Sequence, residues 1–110
     1  MEERQALTAF AALSQETRLH ILRLLVVAGP EGLAAGLIAE RAGVSASNVS
    51  FHIKELERAG LVASRRDGRS ILYNVDFGAL NGLVRFLMED CCGGQAQSCA
   101  DDGAEPCAKC

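Results

Sequence analysis

Apolar residues recur at three- and four-residue intervals through roughly the first sixty positions, switch to alternation, and then return to helical spacing. Ala6, Leu7, Phe10 and Leu13 fall on one side of a helix over residues 3–13. Ser14 reads as the N-cap of a second helix, with Glu16 in its first turn, where the helix dipole favours an acid. Leu19, Leu22 and Val26 make a stripe that Ile21, Leu24 and Leu25 widen, which predicts a central, buried helix ended by Gly29 and Pro30. Leu33, Leu37 and Ile38 predict a short third helix closing at Gly43. Ser45 is a good N-cap for a fourth, and Val44 and Val49 form a hydrophobic staple across it. Val49, Ile53, Leu56 and Gly60 then share one side of that helix.

Past Gly60 the period shortens to two. "LVASRR" and "RSILYNV" flank Asp67-Gly68, a strong hairpin signal, and Ile71, Tyr73 and Val75 alternate with Leu72 and Asn74 as a half-buried strand requires. Leu80, Leu83, Val84, Leu87 and Met88 return to one helical face and run into Cys91. The short "AGVS" link before the fourth helix is the glycine-containing turn of a helix-turn-helix. The predicted fold is therefore mainly α with a small β-hairpin, a winged helix-turn-helix in the order α-α-α-α-β-β-α. Residues 1–90 would form this domain. Residues 91–110 would be a flexible, acidic, cysteine-rich tail.

Hydrophobic residues make up 49% of the 110 positions, enough for one small core rather than a disordered chain. No apolar run reaches the ~18 residues of a membrane span, and "ILRLLVVAG" is broken by Arg23. The charged N-terminus does not resemble a secretory leader, so a cytoplasmic setting is expected, with no membrane partner. The net charge of −3 argues against a nucleic-acid partner until it is divided. Residues 1–88 carry +1 and residues 89–110 carry −4, so the acidity belongs to the tail. Arg58, Arg65, Arg66 and Arg69 lie close together with only Asp67 against them, a local patch able to meet phosphates.

The fourth helix offers the reading face. With Val49 set inward and steps of about 100° per residue, Ser47, Phe51, Lys54 and Arg58 point away from the core, with Asn48 and Ser50 on the flanks. Asn pairs with adenine, Ser with several base edges, and Phe51 can meet a thymine methyl. An isolated helix with this face would simply be solvated; the exposed phenylalanine, the preceding turn and the following wing favour DNA. His52 lies between the two faces and His20 inside the second helix, and both read first as structural residues. Arg65, Arg66 and Arg69 flank the hairpin tip, where phosphate or minor-groove contact is natural.

"LSQETRLHILRLL", "AGVSASNVSFHIKELERAGLV" and "RRDGRSILYNV" together resemble the ArsR/SmtB family of metalloregulatory repressors over roughly residues 5–88. The resemblance implies a homodimer joined through the first and last helices. It also implies binding to palindromic double-stranded operator DNA in the absence of inducer. The DNA-binding set is then Ser45, Ser47, Asn48, Ser50, Phe51, His52, Lys54 and Arg58, with Arg65, Arg66 and Arg69 on the wing. Two departures matter. "LIAERAG" lacks the cysteine-containing box that some members carry in the third helix. The last helix begins Asp76-Phe77-Gly78, without the histidines of the zinc-sensing members.

All five cysteines lie in the last twenty residues. Cys91 and Cys92 are adjacent, and "GGQAQS" allows the chain to fold back and bring Cys99 to them. Three thiolates suit a soft ion, and As(III) or Sb(III), with a stereochemically active lone pair, takes three sulfurs in a pyramid. The arrangement is similar to that of arsenic-responsive family members with a C-terminal cysteine site, which implies Cys91, Cys92 and Cys99 as ligands of As(III) as inducer. Cys107 and Cys110, a C-x-x-C pair, can complete an additional metal site, hand metal on or form a disulfide. Cd(II), Pb(II) and a thiol redox switch stay open as triggers. An enzyme is not expected: "CCGGQ" has no basic residue with which to cradle an oxyanion. A metallochaperone would need the cysteines but not "SNVSFHIK" or the arginine wing.

Overall fold

The computed structural model describes residues 1–91. Five helices and three short strands follow one another: α1 (Glu3–Leu13), α2 (Glu16–Ala28), β1 (Leu33–Ala34), α3 (Ala35–Ala42), α4 (Ala46–Arg58), β2 (Val62–Asp67), β3 (Ser70–Val75) and α5 (Phe77–Met88), with a 3₁₀ turn at Gly29–Glu31. The winged helix-turn-helix expected from the sequence is borne out, with one strand added. Leu33 and Ala34, expected to open the third helix, instead pair antiparallel with Tyr73 and Leu72, so the hairpin is part of a three-stranded sheet in the order β1-β3-β2. Gly32 makes this possible. Its φ is 75°, and a Cβ there would overlap the Tyr73 carbonyl.

Capping sets the helix starts. Ser14 does not cap α2: its hydroxyl donates to the Ala11 carbonyl and closes α1, while Gln15 Oε1 accepts from the Arg18 N–H at 2.8 Å. Two residue types could satisfy the same orphan N–H groups, and the longer glutamine reaches them from one position later. Ser45 caps α4 as expected, accepting from the Asn48 N–H at 3.2 Å. At the other end of α4, Gly60 takes a φ of 79°, and the N–H groups of Gly60 and Leu61 donate to the Glu57 and Leu56 carbonyls. This reversal sends the chain from α4 into the wing. At the wing tip the register pairs Asp67 with Ser70, so the two-residue loop is Gly68-Arg69, one position later than the Asp67-Gly68 signal. Gly68 alone there has positive φ, 65°, as a type II′ turn requires at its first central position.

The core is built from Ile21 and Leu25 of α2, Ile38 of α3, Val49, Ile53 and Leu56 of α4, then Leu61 and Val75, all essentially solvent-free. It fastens α4 from behind and leaves its other side open. The outer helices behave differently. α1 buries Ala6, Ala9 and Ala12, while Leu7 and Phe10, expected on its inner face, are exposed. On α5 Leu83 is buried, whereas Val84, Leu87 and Met88 are exposed. α2 likewise leaves Leu19 and Val26 of its predicted stripe exposed. Small alanines allow α1 to lie close to its neighbours, so the large apolar residues of α1 and α5 are left facing outward.

Candidate nucleic-acid interface

The outward side of α4 carries Ser47, Asn48, Ser50, Phe51, Lys54 and Arg58, all exposed, with Ser45 exposed at its start. Phe51 is 55% exposed, which a solvated helix face would not favour. Ser45 Oγ lies 3.3 Å from Ser47 Oγ, so the capping hydroxyl also orders its neighbour. Arg58 is held loosely by Glu55 at 3.6 Å, and both groups remain partly in water, so the pair contributes little. α3 and the turn at Gly43 place α4 against the core through Val49, Ile53 and Leu56, the periodicity that the sequence displays.

His52 is half-buried, and its partner is a side chain rather than a backbone group. Arg18 Nε–H, from the first turn of α2, donates to His52 Nδ1 at 3.2 Å. The same guanidinium lies 6.0 Å from the centre of the Phe51 ring, and the Phe51 and His52 rings meet edge-on at 5.3 Å. Burial first, and the Arg18 charge second, hold the His52 pKa below its ordinary value of 6.5. Arg18 is the contact behind this face that sequence reading misses. It follows its own helix signal in α2, and nothing in local spacing ties it to a histidine 34 positions later. His20, by contrast, is exposed on α2.

The wing arginines divide. Arg65 donates from Nη1 to the Pro30 carbonyl at 3.1 Å and from Nη2 to the Glu31 carbonyl at 3.0 Å, clipping β2 to the turn after α2. Arg66 and Arg69 are exposed and have no such partner among the described residues, which leaves their charge available. Of the cysteines, Cys91 follows α5 and is half-buried. Cys92, Cys99, Cys107 and Cys110 lie outside the described residues. Among the described residues no three His, Cys, Asp or Glu side chains gather as a metal site, and no helix is long and apolar enough to cross a membrane.

A capped helix presented by a helix-turn-helix, beside an arginine-bearing hairpin, defines a winged helix-turn-helix DNA reader. A family model described as a helix-turn-helix domain matches residues 13–65. The chain is 35% identical over 88 residues to the HTH-type transcriptional regulator YgaV of Escherichia coli K12, covering 80% of this chain and 87% of that protein. Another curated relative, 44% identical over 61 residues, is spanned to 60% of its length. Among solved structures, an ArsR-like transcriptional regulator from Rhodococcus sp. RHA1 superposes with a TM-score of 0.72 at 33% identity, covering 88% of this chain and 89% of that one. A possible transcriptional regulator for arsenical resistance superposes at 0.61 with 28% identity, covering 70% of this chain and 77% of that one. The chain belongs to the ArsR-type family of helix-turn-helix transcriptional regulators, which are DNA-binding proteins and not enzymes.

Proposed function

We propose that this protein is an arsenite-responsive repressor that binds operator DNA as a homodimer and leaves it when As(III) is taken up by Cys91, Cys92 and Cys99. The carrying observation is the confinement of all five cysteines to the segment that begins directly after α5. The donor set is all thiolate and contains no histidine, which fits a soft, lone-pair-bearing ion better than zinc. Likeness to a possible transcriptional regulator for arsenical resistance supports the same reading. In the dimer the two α4 helices would sit about 34 Å apart and enter successive major grooves. Ligation at the end of α5 would act on the helix whose exposed Val84, Leu87 and Met88 would supply the dimer contact. A coupling of about 1–3 kcal/mol per effector is typical and suffices when two sites act together.

The test is fluorescence anisotropy of the reduced protein on a labelled promoter fragment, titrated with arsenite and then with zinc. Release by micromolar arsenite and not by zinc is the expected result, and Cys92→Ser should bind DNA yet ignore arsenite. Tight binding that neither ion moves would remove arsenic from the reading. A second trigger would use the same clustered thiols, which oxidise readily. A redox-sensing repressor would release DNA on mild oxidation and rebind on reduction, with no need of arsenite. Cd(II) and Pb(II) belong in the same titration.

A further inference from the structure

The two ring nitrogens of His52 sit in different surroundings. Nδ1 receives the Arg18 Nε–H at 3.2 Å. A guanidinium has donors only, so Nδ1 is the accepting, unprotonated nitrogen, and the proton of the neutral ring is on Nε2. Nε2 has no hydrogen-bond partner among the described residues, and no unpartnered side-chain nitrogen or oxygen there is buried, so this N–H reaches solvent. It does so on the helix that carries Asn48 and Phe51 outward.

We propose that Arg18 is a positioning residue that fixes His52 as the Nε2–H tautomer, so that α4 presents a neutral hydrogen-bond donor to an acceptor atom on duplex DNA. The inference rests on the DNA-binding reading above. The surrounding contacts reinforce the arrangement. Gln15 Oε1 holds the Arg18 backbone N–H at 2.8 Å, and Phe51 packs against both the guanidinium and the imidazole. Burial and the adjacent cation each disfavour a second proton on the ring. A fixed donor has a definite preference. It pairs with guanine O6 or N7, adenine N7, thymine O4 or a phosphate oxygen, and it is mismatched against the amino groups of adenine and cytosine.

Long-range proton–nitrogen NMR on the full, histidine-labelled, reduced protein tests the tautomer directly, with His52→Gln identifying the His52 signals. The expected spectrum shows Nδ1 bare and Nε2 protonated, and Arg18→Met should redistribute the proton between them. A protonated Nδ1 in the wild type, or an unchanged spectrum in Arg18→Met, overturns the role of Arg18. The donor is tested by anisotropy on a promoter fragment and on a scrambled duplex. His52→Asn keeps an acceptor near Nδ1 but has nothing at Nε2, and should bind the promoter roughly tenfold more weakly. His52→Gln restores an N–H near Nε2 and should stay within about threefold of wild type. Loss on the promoter alone identifies a base acceptor, and equal loss on both duplexes identifies a phosphate. Equal affinity of His52→Asn and wild type overturns the donor role. A wild type that binds neither duplex overturns the DNA reading itself, whereas the tautomer stands or falls on the spectrum.

Discussion

The guanidinium of Arg65 and the carbonyl of Pro30 are 3.1 Å apart, and that contact ties the wing to the turn ending α2. Sequence alone groups Arg65 with Arg66 and Arg69 as phosphate contacts, yet both of its terminal nitrogens are engaged by backbone carbonyls. Arg65→Ala should therefore lower the urea midpoint by an amount equivalent to about 1 kcal/mol or less, since the clip is exposed to water. It should leave the salt dependence of DNA binding nearly unchanged. Arg66→Ala and Arg69→Ala should instead each reduce the slope of log affinity against log salt by about 0.9 for every phosphate that the arginine neutralises. Anisotropy at several salt concentrations separates the two classes. An equal fall in slope for Arg65→Ala would mean that the side chain leaves its clip on DNA.

Gly32 and Gly36 make a matched pair of glycines with opposite expected responses. At Gly32 an added Cβ would overlap the Tyr73 carbonyl and come within 2.9 Å of its carbon, at a φ of 75°. Gly32→Ala should cost about 2 kcal/mol or more and lower the melting temperature by roughly 4–8 °C for each kcal/mol. Gly36 lies exposed in α3, with nothing within 4 Å of a built Cβ. Gly36→Ala should raise stability by up to about 1 kcal/mol through helix propensity. Thermal melts of both variants check the pair, and equal melting temperatures would contradict the close packing of Gly32 on β3.

Much of this architecture is legible in the sequence because its signals are local. Ser45 caps α4, Val49, Ile53 and Leu56 are spaced by the helical repeat, and the run Ile71-Tyr73-Val75 marks a strand, although burial along it rises from exposed Ile71 to buried Val75 and does not alternate. What escapes depends on partners far away along the chain. β1 has only two residues, too few to show alternation, and exists because Tyr73 and Leu72 lie beside it. Leu7, Phe10 and Leu87 have core-like spacing yet are exposed, since periodicity reports apolar faces without saying what covers them. Arg18 looks like an interruption in α2, while its role comes from the tertiary approach of α4. The exposed face of α4 is therefore visible residue by residue, and the support beneath His52 is not.

His52 also gives the fold a pH dependence whose sign can be fixed. Its pKa in the folded chain is lowered, by burial first and by the Arg18 charge second. The unfolded chain therefore binds more protons than the folded one between the ordinary value of 6.5 and the lowered folded value. Stability from this group is present in full above that ordinary value and is lost as pH falls through the folded value. Urea midpoints measured from neutral pH downward should decline more steeply for wild type than for His52→Gln. Arg18→Met, which removes the neighbouring charge, should lie between them. Parallel profiles for all three proteins would exclude His52 as the source.

The exposed apolar residues of α1 and α5 lead to the last prediction. Leu7 is 62% exposed and Leu87 60% exposed, although both lie on helices that also pack apolar side chains inward. Leaving such residues in water forgoes about 1.5–3 kcal/mol for each fully buried leucine, which a second copy of the chain would recover by covering them. The homodimer proposed above would be joined through this face. Leu87→Asp should leave the monomer folded, because the site is outside the core, and should shift sedimentation from dimer to monomer. DNA affinity should fall sharply with it, since one reading head contacts only half of a palindrome. A Leu87→Asp protein that still sediments as a dimer would place the interface elsewhere. An unfolded one would mean that this face is covered within the monomer.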